Sequence, residues 1–67
     1  MKVFKATFEC YEIIKTGEIS LFVPVDNSDQ AETAFELWEM AVADAIDEFR
    51  RQTGHKGELI GLELIAE

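Results

Sequence analysis

One stretch constrains this chain more than any other: Ser28 to Gly54 reads as a single long amphipathic helix. Ala31, Ala34, Phe35, Trp38, Ala41, Val42, Ala45, Ile46 and Phe49 recur at three- and four-residue steps. At about 100° per residue they share one face, the pattern of a helix that must bury a stripe against another layer. At about 1.5 Å per residue such a helix is roughly 37 Å long. The opposite face carries Glu32, Glu36, Glu39 and Asp47, with Asp44 and Glu48 on its shoulder. In the run Asp26-Asn27-Ser28-Asp29, Ser28 is the predicted N-cap, with Asn27 the alternative, and Asp29 and Glu32 favour the positive helix start. Arg50 and Arg51 suit the negative end, and Gly54 fits the left-handed position that terminates a helix.

Strands flank the helix. Val3 to Ile14 alternates, with Phe4, Ala6, Phe8, Cys10 and Ile14 on one side and Val3, Lys5, Thr7, Glu9, Tyr11 and Ile13 on the other. Glu12 is a misfit, because alternation places it on the core side. Lys15-Thr16-Gly17-Glu18 breaks the pattern, and Ile19 to Val25 resumes it with Ile19, Leu21, Val23 and Val25 inward. A hairpin closing at Thr16-Gly17 pairs Ile14 with Ile19, Cys10 with Val23 and Phe8 with Val25, and sets Tyr11 opposite Phe22 outside. Pro24 has no N–H for a ladder, which places the second strand at a sheet edge. Glu58 to Ala66 is the last strand, with Ile60, Leu62 and Leu64 on one face and Leu59, Gly61, Glu63 and Ile65 on the other.

The predicted fold is therefore α+β, with ββαβ topology. A three-stranded antiparallel sheet of order 2-1-3 carries one long amphipathic helix on one face. Residues 1–67 form a single domain in this reading. Phe35 and Trp38 are expected in the core against Phe4, Phe8 and Leu62. Cys10 is expected to be a buried free thiol.

The charge balance is lopsided: 14 acids against 6 bases, a formal net charge of −8. A phosphate backbone or an anionic membrane needs clustered Lys and Arg, so neither direct nucleic-acid binding nor membrane adsorption is expected. Basic partners are favoured, including proteins that themselves bind nucleic acid. One cysteine makes no intrachain disulfide and suits a reducing, cytoplasmic setting. No apolar run is long enough for a signal peptide or a membrane span.

Chemistry-bearing patterns are sparse. His55 is the single histidine, in a short connector, and no nucleophilic triad or phosphate-cradling glycine loop is present. No catalytic residue, cofactor or metal is expected; a metal site from Asp26, Asp29 and Glu32 would match no calcium loop. Two surfaces stand out instead. The first is the acidic helix face of Glu32, Glu36, Glu39 and Asp47, with Met40 expected exposed among them. Eight acids and no Lys or Arg lie between Asp26 and Glu48. Like charges at helical spacing cost a few tenths of a kcal/mol each, which a chain selected only for stability would avoid. The second is the outer sheet face around Tyr11 and Phe22, suited to a partner or a twin subunit.

The leading expectation is a small non-enzymatic protein-binding module that occupies a basic, nucleic-acid-binding surface of a larger protein. Phage-encoded inhibitors include small acidic chains of this kind, a class analogy only. Eight acids along such a helix give about one charge per 4 Å, sparser than the one per about 1.7 Å of duplex DNA unless the protein dimerises. The first alternative is a structural or regulatory homodimeric subunit associating through the open sheet face. The second is a small enzyme or metal binder using His55.

Overall fold

The computed structural model describes residues 1–11, 15, 17–26, 30 and 33–67. Strand β1 is Lys2–Cys10, β2 is Gly17–Val25, helix α1 is Ala34–Thr53 and β3 is Glu58–Ala66. The strands form one antiparallel sheet in the order β2-β1-β3, as the alternation and the edge-seeking Pro24 require. The fold is α+β, with the helix between the second and third strands.

The core is the face of β1 that carries Phe4, Ala6, Phe8 and Cys10, all buried, joined by Leu21, Val23 and Val25 of β2. Ala41, Ala45 and Phe49 of α1 close it from above. The two alanines are fully buried and present no bulk, so the helix backbone can sit low on the sheet. Phe49 stacks on Phe8 with ring centroids 4.3 Å apart. Cys10 is buried and free.

Four local features differ from the expected ones. First, β1 ends at Cys10, and Glu12, Ile13 and Ile14 lie outside the described residues. Second, the register differs: Phe8 faces Ile19, Phe4 faces Val23 and Cys10 faces Gly17. The expected Tyr11–Phe22 pair does not form, because Phe22 sits opposite Lys5 and Tyr11 lies beyond the strand. The slip is an even number of residues, so every inward residue stays inward. The observed register also pairs all nine residues of β2, where the expected one strands the first half of β1.

Third, α1 starts at Ala34. Its N-cap is Thr33, whose Oγ1 accepts a hydrogen bond from the Glu36 N–H at 3.2 Å. Thr33-Ala34-Phe35-Glu36 has the spacing of a capping box, a better signal than Ser28. Ser28 itself, with Asn27, Asp29, Ala31 and Glu32, lies outside the described residues. At the other end Gly54 takes the left-handed conformation, φ 72°, and donates its N–H to the Arg50 carbonyl, as expected. Fourth, β3 is irregular at two places, between the partners of Val3 and Phe4 and between those of Thr7 and Phe8. The second irregularity puts Leu59 opposite Phe8, on the core side instead of the outer side.

Candidate functional site

Helix α1 divides the molecule's surface. It packs chiefly on β2, less on β1, and barely reaches β3. Between Thr33 and Phe49 the helix segment carries Glu36, Glu39, Asp44, Asp47 and Glu48 and no Lys or Arg. Glu36, Glu39, Asp44 and Asp47 are exposed. Asp44, Asp47, Glu48 and Arg51 line a shallow cleft against Phe22, Val23 and Pro24 at the edge of β2. Within it Glu48 accepts hydrogen bonds from Arg51 at 3.0 Å and from Gln52 at 2.8 Å. That pairing ties the glutamate to the helix end and leaves Asp44 and Asp47 as the exposed negative charges of the cleft. Of the expected acidic set, Glu36, Glu39 and Asp47 are in place on the helix, and Glu32 falls outside the described residues.

Met40 is not the exposed residue it was expected to be. It is partly buried and packs on the cluster of Phe4, Val25 and Ala41. Conversely, Phe35 and Trp38 leave the core: they are 67% and 46% exposed, and Ile46 is 38% exposed. The apolar arc of the helix is wider than the strip that two strands can cover. The Ala41–Ala45 line settles on the sheet, which rolls Met40 inward and leaves the aromatic side of the arc in solvent. Phe35, Trp38, Glu39, Val42, Ala43 and Ile46 line an open apolar hollow on that flank.

The outer sheet face carries a second acidic feature that the expected register concealed. Glu9 of β1 stands directly opposite Glu18 of β2 and Glu58 of β3, three carboxylates in one row across the sheet. Like charges directly opposite one another in a ladder are destabilising. Tyr11 and Phe22 are both exposed on this part of the molecule, though not paired. Alternation put Glu9 and Glu18 at outward steps, but gave Glu58 the parity of Ile60, Leu62 and Leu64; the irregularity in β3 beside Thr7 and Phe8 is what brings Glu58 into the row.

No group of three or more His, Cys, Asp or Glu side chains among the described residues is arranged to hold a metal ion. His55 is exposed in the connector, its backbone N–H donating to Thr53 Oγ1 at 3.2 Å. The chain matches no family model, and no curated protein and no solved structure is significantly similar to it. No helix among the described residues is long and apolar enough to cross a membrane. The candidate site is thus a set of surfaces: an acidic ridge on α1, a carboxylate row on the sheet and an apolar flank of α1.

Proposed function

We propose that this chain is a non-enzymatic protein-binding module that docks its acidic helix ridge on a basic surface of a larger protein. The observation that carries the reading is the charge segregation of α1. Glu36, Glu39, Asp44 and Asp47 are exposed over about three turns without an interspersed base, while the bases Arg50 and Arg51 are confined to the last turn. At about 1.5 Å per residue this ridge is about 18 Å long from Glu36 to Glu48. That is enough to span several phosphate positions of a nucleic-acid groove. A basic groove of that kind, normally occupied by nucleic acid, is the partner surface of matching sign. Blocking it would make the chain an inhibitor that works by occupation, with no cofactor and no direct nucleic-acid contact of its own.

The test is a comparison of the wild-type chain with the triple variant Glu36→Lys, Glu39→Lys, Asp47→Lys. All three positions are exposed, so the variant should retain the fold. Both are used as bait in nuclease-treated lysate of the source organism and washed at low and high salt. A nucleic-acid-binding protein held by the wild type, released at high salt and not held by the variant is the expected result. A partner retained equally by both chains would remove the acidic ridge from the function.

A further inference from the structure

The apolar flank of α1 and apolar side chains of β3 are both left uncovered in the single copy, and together they are treated as one trough. Asp44, Asp47, Glu48 and Arg51 face the edge of β2, where they share a cleft with Phe22, Val23 and Pro24. At about 100° per residue, Trp38, Val42 and Ile46 lie on the other side of the Ala41–Ala45 contact line, toward β3. Below that flank, Leu64 of β3 stands opposite Phe4, on the core side of the sheet, yet remains 43% exposed. Ile60 of the same strand is 47% exposed. Among the described residues β3 pairs only with β1, so its other edge is open. Unlike β2, it contains no proline.

We infer that a second copy of this chain fills the trough, in a two-fold dimer with the two β3 strands side by side. Three arguments select a second copy over another occupant. The first is area. With about 200 Å² as the full surface of such side chains, Phe35, Trp38, Ile46 and Leu64 leave roughly 400 Å² open per copy. Two copies contribute about 800 Å² from these side chains alone, and the paired strand backbones and the rim add to it toward the roughly 1,200 Å² of a stable interface. The second is fit. Strands lie about 4.8 Å apart, so a continuous six-stranded sheet places the two helices about 19 Å apart, each above its own β1 and β2. Directly packed helices are only about 8–10 Å apart. The remaining space, about 10 Å, takes one long aromatic layer from each copy, which Phe35 and Trp38 supply.

The third argument is charge. A chain of net charge −8 can meet itself only where its acids are absent. The trough has Glu39 at its rim, while Asp44, Asp47 and Glu48 lie on the opposite flank. A two-fold axis at Leu62 sets Leu62 against its twin, Ile60 against Leu64, Gly61 against Glu63 and Glu58 against Ala66. No glutamate then faces another across the new seam. The trough lies on the flank of α1 away from Asp44, Asp47 and Glu48, and shares only Glu39, at its rim, with the acidic ridge.

Sedimentation equilibrium on the full chain tests it. The expected species has twice the 7.6 kDa mass of the chain. Its Trp38 emission should shift to longer wavelength on dilution, as the indole returns to water. Trp38→Glu and Leu64→Lys should each weaken association at least ~100-fold, as central contacts of an interface do. Both should keep a wild-type circular dichroism spectrum, because these side chains are already half exposed in a single copy. Phe22→Glu, on the outer face, should leave the dimer intact. A monomer mass maintained to about 0.5 mM, where contacts of this size are saturated, would overturn the inference. So would a dimer that Phe22→Glu dissociates and Trp38→Glu does not.

Discussion

Gly57→Ala and Gly61→Ala should change stability in opposite directions, although the two glycines are only four residues apart. A Cβ on Gly57 would lie 2.6 and 2.8 Å from two carbons of the Phe49 ring and 3.4 Å from the Glu9 carbonyl oxygen. Ordinary carbon contacts begin near 3.5 Å, so the ring must retreat by close to an ångström. It has nowhere to go: Phe49 is 1% exposed and stacked on Phe8, itself 1% exposed. Overpacking of this kind costs about 1–3 kcal/mol. For a chain of this size the total stability is about 3–10 kcal/mol, so the loss is a large fraction. On Gly61 the new Cβ meets only Thr7 Cβ, at 3.9 Å, an ordinary contact. There alanine removes the entropic cost of a glycine within a strand, a gain of about 0.5–1 kcal/mol. Urea denaturation followed by circular dichroism reads both. With a slope of about 1 kcal/mol per molar, the Gly57→Ala midpoint should fall by about 1–3 M and that of Gly61→Ala should rise slightly. Placing Gly57→Ala in a Phe49→Leu background should recover part of the loss, because the two sites share the same space. Equal midpoints for Gly57→Ala and wild type, or additive effects in the double variant, would refute the packing argument.

Thr33→Ala should lower stability by about 0.5–2 kcal/mol through loss of the Oγ1 acceptor for the Glu36 N–H, and Thr33→Asp should not; thermal unfolding compares them. Glu9→Lys, opposite Glu18 and Glu58, should raise stability by about 0.5–1.5 kcal/mol in dilute buffer, with the gain shrinking in 1 M salt as the charges are screened. The Glu67 carboxylate accepts a hydrogen bond from Lys2 Nζ at 2.8 Å, and that bond and the ammonium charge hold its pKa below the ordinary value. Its contribution is therefore present above the ordinary carboxylate pKa and disappears as pH falls through the lowered one. NMR titration of Glu67 should show the depressed midpoint, and Lys2→Ala should return it to normal.

The architecture was legible because its determinants are periodic and local. Alternation defined three strands, Pro24 marked an edge, and Gly54 marked the end of the helix. What was not legible depended on choices between equivalent local signals. Ser28 and Thr33 are both good caps, and the glutamate three residues after Thr33 decides between them. The hairpin register could slip by an even number of residues without moving one core residue to the surface, so the only sign in the pattern against the short-loop register was the misfit of Glu12. The roll of the helix depended on the alanine line at 41 and 45. Small residues dictate where a helix can sit low, yet they weigh little in a hydrophobic pattern beside Phe35 and Trp38. The acidic side of the helix was visible from composition; the Glu9–Glu18–Glu58 row needed the register, and the trough beside β3 needed the roll.

The same even-numbered slip has a kinetic side. A hairpin closing on a four-residue loop brings Phe8 to Val25 and Cys10 to Val23, with an inward face that is apolar except for Glu12. The native register closes over residues 11–16 instead. The longer loop costs only about 0.4 kcal/mol more in closure entropy. Either hairpin can therefore form early, on the microsecond scale of isolated hairpins. They diverge only when β3 arrives, for β3 pairs with the half of β1 that the short-loop hairpin leaves without its β2 neighbour. The strand that comes last in the chain is thus the one whose pairing distinguishes the two registers of the first turn.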